Sequence, residues 1–219
     1  MSLLAQLPPP GRRIATEQTA MPPGVLPKGA RGRILTAALR LFADLGYGGT
    51  SVRDICASAE VQATTLYVHF PSKEDVLAEI IRLGHEELLR RLREALLAAQ
   101  PDPREQLVAL VRAHVLSHCE HAMLAVVASA ELHALSEATA APIRVVSAQA
   151  ERLALDVVER GITLQLFNCP EPALALRAIS SMGQRAAYWF APGCGKTPQQ
   201  VADTFADFAL RIVGAQNKN

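Results

Sequence analysis

Gln62, Ala63, Thr64 and Thr65 fall in the first turn of a short helical segment, and their side chains suit the edges of base pairs. Gln pairs bidentately with adenine, Thr offers thymine a hydroxyl and a methyl group, and Ala permits close approach. Arg53, on the preceding helix, can add a backbone or base contact. These residues lie in TSVRDICASAEVQATTLYVHFPSK, residues 50–73, which reads as two short helices joined by a tight turn, then an aromatic pair and a capped third helix. Such an arrangement carries one short helix, Gln62–Val68, into a major groove while its neighbours hold the DNA backbone. Lys73 stands at a helix N-terminus, where the dipole favours an anion.

The elements that position these residues follow from apolar spacing. Ile34, Leu35, Ala38, Leu39, Phe42 and Leu45 line one face of a helix over 31–45 that Gly46 ends. Thr50 or Ser51 caps the next helix, with Ser51-x-x-Asp54 as a capping box, and Val52, Ile55 and Cys56 inward. Leu66 and Phe70 face the same small core. Ser72-x-x-Asp75 opens a helix reaching to about residue 99, with Val76, Leu77, Ile80, Ile81, Leu88, Leu92 and Leu96 inward. Asp102-Pro103-x-Glu105 starts another. A buried helix over 122–135, an amphipathic one over 142–160 closed by Gly161, and helices over 168–190 and 197–213 complete the chain, the last capped by Thr197-Pro198-x-Gln200. No strand pattern or internal repeat competes, so the fold expected is all-α.

The 219 residues are half hydrophobic, with a formal net charge of only +1, which excludes a polycation that binds nucleic acid by charge alone. Residues 28–75 carry six Lys and Arg against five Asp and Glu, so geometry must do much of the binding. Cys56, Cys119, Cys169 and Cys194 form no C-x-x-C pair; reduced thiols in a cytoplasm are the simpler reading. The longest apolar run, residues 122–128, is far short of a membrane span, and no leader-like start precedes it. Six of the fourteen prolines lie in residues 1–27, which read as a flexible tail. Arg12, Arg13, Lys28, Arg31 and Arg33 make its junction weakly basic, suiting either a solvated leader or an arm along DNA. The expected organisation is a tail over 1–27, a helix-turn-helix domain over 28–75 and a helical domain over 76–219. No phosphate-cradling glycine loop, activated nucleophile or carboxylate pair argues for an enzyme.

Ile34, Leu35, Ala38, Leu41, Phe42, Gly46, Tyr47, Thr50, Ile55, Ala59, Val61, Leu66, Tyr67, His69, Phe70, Ser72 and Lys73 are in register with the TetR family of bacterial transcriptional regulators, which residues 31–81 resemble. The resemblance implies an N-terminal three-helix DNA-binding domain and a C-terminal helical domain for ligand binding and dimerisation. It makes Thr50, Tyr67, His69 and Lys73 phosphate contacts, and their hydroxyl, phenol, imidazole and ammonium groups can all donate to phosphate oxygens. With Ser51, Arg53, Gln62, Ala63, Thr64 and Thr65 they form the expected DNA-binding set. Glu60 stands where the family often has Gly, and Gln62 where it often has a capping Ser. A symmetric dimer on a double-stranded operator is implied, with half-sites about 34–36 Å apart or a multiple of that. The last two helices would form its interface through Leu174, Leu176, Ile179, Met182, Ala186, Ala187, Trp189, Phe205, Phe208, Ala209 and Ile212.

The helices behind resemble the family's effector domain, with the long helix after Ser72 as pendulum. Trp189-Phe-Ala-Pro192-Gly193 followed by Thr197-Pro-Gln-Gln-Val-Ala resembles a TetR subgroup of fatty-acid and steroid catabolism, which implies a small hydrophobic effector, such as an acyl-CoA or a fatty-acid or steroid-like molecule. His114, His118, Met123, Phe167, Met182 and Trp189 are the candidate ligand residues, the Met and Phe side chains being equally suited to plain core. The expectation is a repressor released by that effector, with no cofactor and no metal. The alternatives are a metal-responsive regulator, using His114, His118 and His121 on one helix face beside Cys119, and a helical interaction module without DNA binding.

Overall fold

The computed structural model describes residues 14, 21–191 and 193–216. These form α1 (Ala30–Leu45), α2 (Val52–Ala59), α3 (Ala63–His69), α4 (Lys73–Ala98), α5 (Pro103–Glu120), α6 (Ala122–Ala130), a 3-10 turn (Leu132–Ala134), α7 (Glu137–Thr163), α8 (Pro172–Trp189) and α9 (Pro198–Ile212). Among the described residues the fold is all-helical, and the β pairing is one isolated bridge between Phe167 and Ala215. None of these helices is long and apolar enough to cross a membrane.

Local chemistry sets most boundaries. Ser51 with Asp54 and Thr197 with Gln200 make reciprocal capping boxes on α2 and α9. Ser72 accepts the Asp75 amide at the start of α4, and Asp102 accepts from Arg104, rather than Glu105, ahead of Pro103. Four boundaries differ from the sequence reading, α8 starting at Pro172 in place of residue 168. α6 stops at Ala130, short of 135. α7 starts at Glu137 and takes Pro142 inside it; the carbonyl that proline leaves without a helix donor belongs to Ala138, which is exposed to water. Gly161 stays within α7, which runs on to Thr163, and a Cβ there would meet the Phe167 ring at 2.2 Å. Its role is close packing, not termination.

Two apolar cores result. The first joins α1, α2 and α3 to Val76, Leu77, Ile80 and Ile81 of α4, to α6, and to Ala140 and Ile143 of α7. The expected division at residue 75 therefore falls inside one core. The second joins α5, the end of α7, α8 and α9 around Leu107, Val111, Val158 and Ala206. α4 belongs to both: Leu92 is buried in the second core, Leu88 and Leu96 pack against it as expected, and Leu89 is buried as well. Of the described residues in the expected tail, Ile14 is fully buried in the first core, and Met21 and Leu26 pack against it. Arg12 and Arg13, like Pro192, lie outside the described residues.

Candidate functional site

α3 is oriented by two anchors. Leu66 is fully buried and Phe70 nearly so, both in the core that α1 and α4 share. Seating that face turns the opposite one outward: Gln62, Ala63 and Thr64 are exposed, Tyr67 is 53% exposed and Val68 80%. Thr65 and His69 are half-buried, and Arg53 on α2 is exposed. Two backbone details match the departures noted in sequence. Glu60 takes the left-handed conformation (φ 52°, ψ 50°) that glycine adopts freely, and Gln62 caps α3 without a side-chain bond.

Thr50 differs from its expected role. It is buried, its hydroxyl donates to the Gly46 carbonyl at 2.9 Å, and its amide donates to Tyr47 at 3.3 Å. Both donors are committed inside the turn, so this side chain braces the α1–α2 connection and has no proton for a phosphate. Ser51 is exposed, but its hydroxyl donates to Asp54 at 2.6 Å, which holds the Asp54 carboxyl below the usual range. Lys73 sends its ammonium back to the carbonyls of Tyr47 (2.8 Å) and Thr50 (2.7 Å), with Nζ 4.0 Å over the Tyr47 ring. Two of its three protons tie α4 to that turn, leaving one for a phosphate. Tyr47 was missed as a positioning residue; its phenol is raised by burial and then by Glu74 and Asp75. Arg31 completes the frame, bound to Glu79 at 3.0 Å and lying 4.8 Å over the Phe70 ring.

The six candidate ligand residues do not converge as one group. His114 and His118 stack with centroids 4.3 Å apart. Met182 and Trp189 border the second core, whereas Met123 is buried in the first. Phe167 is a correction: its ring fills the notch at Gly161 and its backbone pairs with Ala215, closing the end of α7. An open depression of ≈ 610 Å³ between residues 100–105 and Leu164 and Leu166 is lined by none of the six. The missed residue is His85 on α4, whose charge bears on that of His118. Spacing could have found it, since residues 81, 85, 88 and 92 share a helix face. Burial, then His114 and His85, holds His118 down to about 3, and burial lowers His114 and His85.

The metal alternative is not supported. α5 ends at Glu120, and at that break His121 turns to Arg91, Nε2 to guanidinium 2.7 Å, away from a shared face with His114 and His118. Burial pushes the Cys119 thiol up to about 12, so it stays protonated. No three His, Cys, Asp or Glu side chains among the described residues are placed to hold a metal ion.

The expected dimer face is partly inside the protomer. Ile179, Ala186, Ala187 and Ala209 are buried in the protomer's own cores and offer nothing to a partner. Leu174 (61%), Phe208 (40%) and Ile212 (38%) are exposed, and Leu176, Met182, Trp189 and Phe205 are half-buried. Trp189, Phe205 and Phe208 form a chain of ring contacts, 6.5 and 6.1 Å between centroids.

A family model described as "Bacterial regulatory proteins, tetR family" matches residues 34–80, and one described as "Tetracyclin repressor-like, C-terminal domain" matches residues 100–213. The HTH-type transcriptional repressor KstR2 of Rhodococcus jostii (strain RHA1) is 29% identical over 184 residues, covering 83% of this chain and 90% of that protein. A solved bacterial regulatory protein in the tetR family from Rhodococcus RHA1 is 30% identical with a TM-score of 0.81, covering 87% of this chain and 100% of its own. The structure of the ketosteroid transcriptional regulator KstR2 of Mycobacterium tuberculosis has a TM-score of 0.77 at 28% identity, with 87% and 97% covered.

Proposed function

The chain belongs to the tetR family of bacterial regulatory proteins, and from that premise we propose that it is a homodimeric, operator-binding repressor released from DNA by a small hydrophobic effector. The observation that carries the DNA reading is the outward face of α3, held in place by Leu66 and Phe70. In this reading Gln62, Ala63, Thr64 and Thr65 meet base edges, while Arg53, Tyr67, His69 and the remaining Lys73 proton hold phosphates. Thr50 and Ser51 shape the turn that presents them. Repression is supported by whole-length relatives named as transcriptional repressors.

A steroid-like effector is supported by the relative named as a ketosteroid regulator. The response needs only a shift between two spacings of the reading heads. α4 is suited to transmit it, since it packs into both cores. The Glu74 carboxylate adds a second tie, accepting the Ser136 amide at 2.8 Å and so joining the first turn of α4 to the start of α7. For the dimer, the exposed apolar side chains of α8 and α9 are the natural surface. A cytoplasmic location accords with a DNA partner and four cysteines that form no disulfide.

The test is operator binding by Thr64→Ala and Tyr67→Ala. Each is expected to weaken binding roughly tenfold or more, as loss of about 1–3 kcal/mol requires, with helical content unchanged. Binding equal to that of the unaltered protein would refute the assignment of α3 as the reading helix.

A further inference from the structure

Val68 is 80% exposed, and among the large hydrophobic side chains of the described residues only Leu97, at 86%, exceeds it. It belongs to neither apolar core. Nothing local calls for valine there either. A β-branched side chain is a weak helix former, and α3 has only seven residues, held by the packed face of Leu66. The last turn of a helix favours a cation, not an isopropyl group in water. Local stability would choose another residue, so the explanation lies in what the side chain meets.

The geometry of α3 gives its direction. At 3.6 residues per turn, Thr64 and Val68 each lie about 160° round the helix from Leu66 and about 40° from each other. They lead the outward face, with Thr65 and Tyr67 on its flanks. Helical side chains lean toward the N-terminus, so Val68 leans back toward the turn that carries Thr64 and continues the edge begun by Gln62 and Ala63. Residues 62–69 contain no Arg, Lys or Asn, so the bidentate Arg or Lys contact that singles out guanine is absent from α3. The outward line offers methyl groups instead, one on Thr64 and two on Val68. A phosphate gains nothing from a side chain without a donor. The matching group in the major groove is the C5-methyl of thymine.

We propose that Val68 is a specificity residue that packs on a thymine methyl in each half-site, so that α3 selects an A·T pair there by apolar contact. This rests on α3 being the reading helix, and it adds Val68 to the four residues assigned to base edges.

A methyl-deletion scan tests it. The full chain selects its operator from a random pool of duplexes, and each thymine is then replaced in turn by deoxyuridine, which keeps the base pairing and loses the methyl. At one symmetry-related pair of positions the unaltered protein is expected to bind about fourfold more weakly per half-site, and about fifteenfold when both are changed, as loss of one buried methyl gives. Val68→Ala should bind the thymine and deoxyuridine forms within about 1.5-fold of each other, because the partner of the methyl is gone. Val68→Thr, which keeps one methyl, should give an intermediate response and serves if Val68→Ala does not fold. Indifference of every thymine to loss of its methyl would overturn the proposal. So would a response that survives Val68→Ala, with both forms weakened alike, since Val68 would then lie on the DNA backbone. A symmetric operator whose methyls are all indifferent, but whose binding Thr64→Ala and Tyr67→Ala weaken, sinks only the Val68 contact. Recovery of no duplex, or of one bound as well by both of those variants, sinks the reading of α3 and this proposal with it.

Discussion

Gln62 sits at a position where local stability and base reading pull apart. As N-cap of α3 it makes no side-chain bond, although Ser or Thr there would accept one from the helix. Gln62→Ser is expected to raise unfolding stability by roughly 0.5–1 kcal/mol and, having lost the bidentate amide, to change operator preference. Urea unfolding and competition between operator variants check the two halves; an unchanged preference would remove Gln62 from the readout. Residue type was legible in this turn, but direction was not. Lys73 and Thr50 have the chemistry for phosphate, yet the tight return of the chain at residues 46–50 exposes carbonyls that these donors must satisfy first. His85 escaped notice because a lone imidazole in a long amphipathic helix looks solvated until a second helix is packed over it.

Element boundaries were legible wherever a cap wrote them. Ser51 with Asp54, Ser72 with Asp75 and Thr197 with Gln200 place three helix starts to within a residue. α7 was misread at both ends, since Pro142 and Gly161 look like punctuation and are in fact tolerated by water on one side and a close ring on the other. Glycine as a packing device recurs at α8. Gly183→Ala would drive a methyl into His114, whose ring is trapped by its bond to Ser180. Overpacking of this kind is expected to cost about 1–3 kcal/mol, seen as a lower melting temperature. An unchanged melting temperature would mean that α5 and α8 separate easily, and the fixed orientation of His114 would be lost.

At the scale of the whole molecule, stability should carry the signature of the buried imidazoles. His118 is held near 3 against an ordinary value of 6.5, with burial the main cause, and His114 and His85 move the same way. The folded state keeps these rings neutral while the unfolded chain protonates them, so the unfolded state binds more protons below 6.5. Stability is therefore complete above that pH and falls as pH drops toward 3, by about 1.4 kcal/mol per pH unit for His118, with His114 and His85 acting in the same direction. Denaturant unfolding between about pH 7.5 and 5 should show the slope, and His118→Phe should flatten part of it; a flat profile for the unaltered chain would mean that the rings are hydrated. Phe208→Asp, placing a charge on the exposed apolar face of α9, is expected to give monomers in sedimentation and to reduce operator affinity by more than about 100-fold. A dimeric Phe208→Asp protein would move the interface elsewhere.

Footprinting on bound genomic fragments asks the main question most directly. Two α3 helices carried by one dimer should protect a two-fold symmetric site with half-site centres about 34–36 Å apart or a multiple of that, and a chain with Gln62, Thr64 and Tyr67 all changed to Ala should leave the site open. A site protected equally by that triple variant, or a footprint without two-fold symmetry, would contradict a paired reading head built on α3.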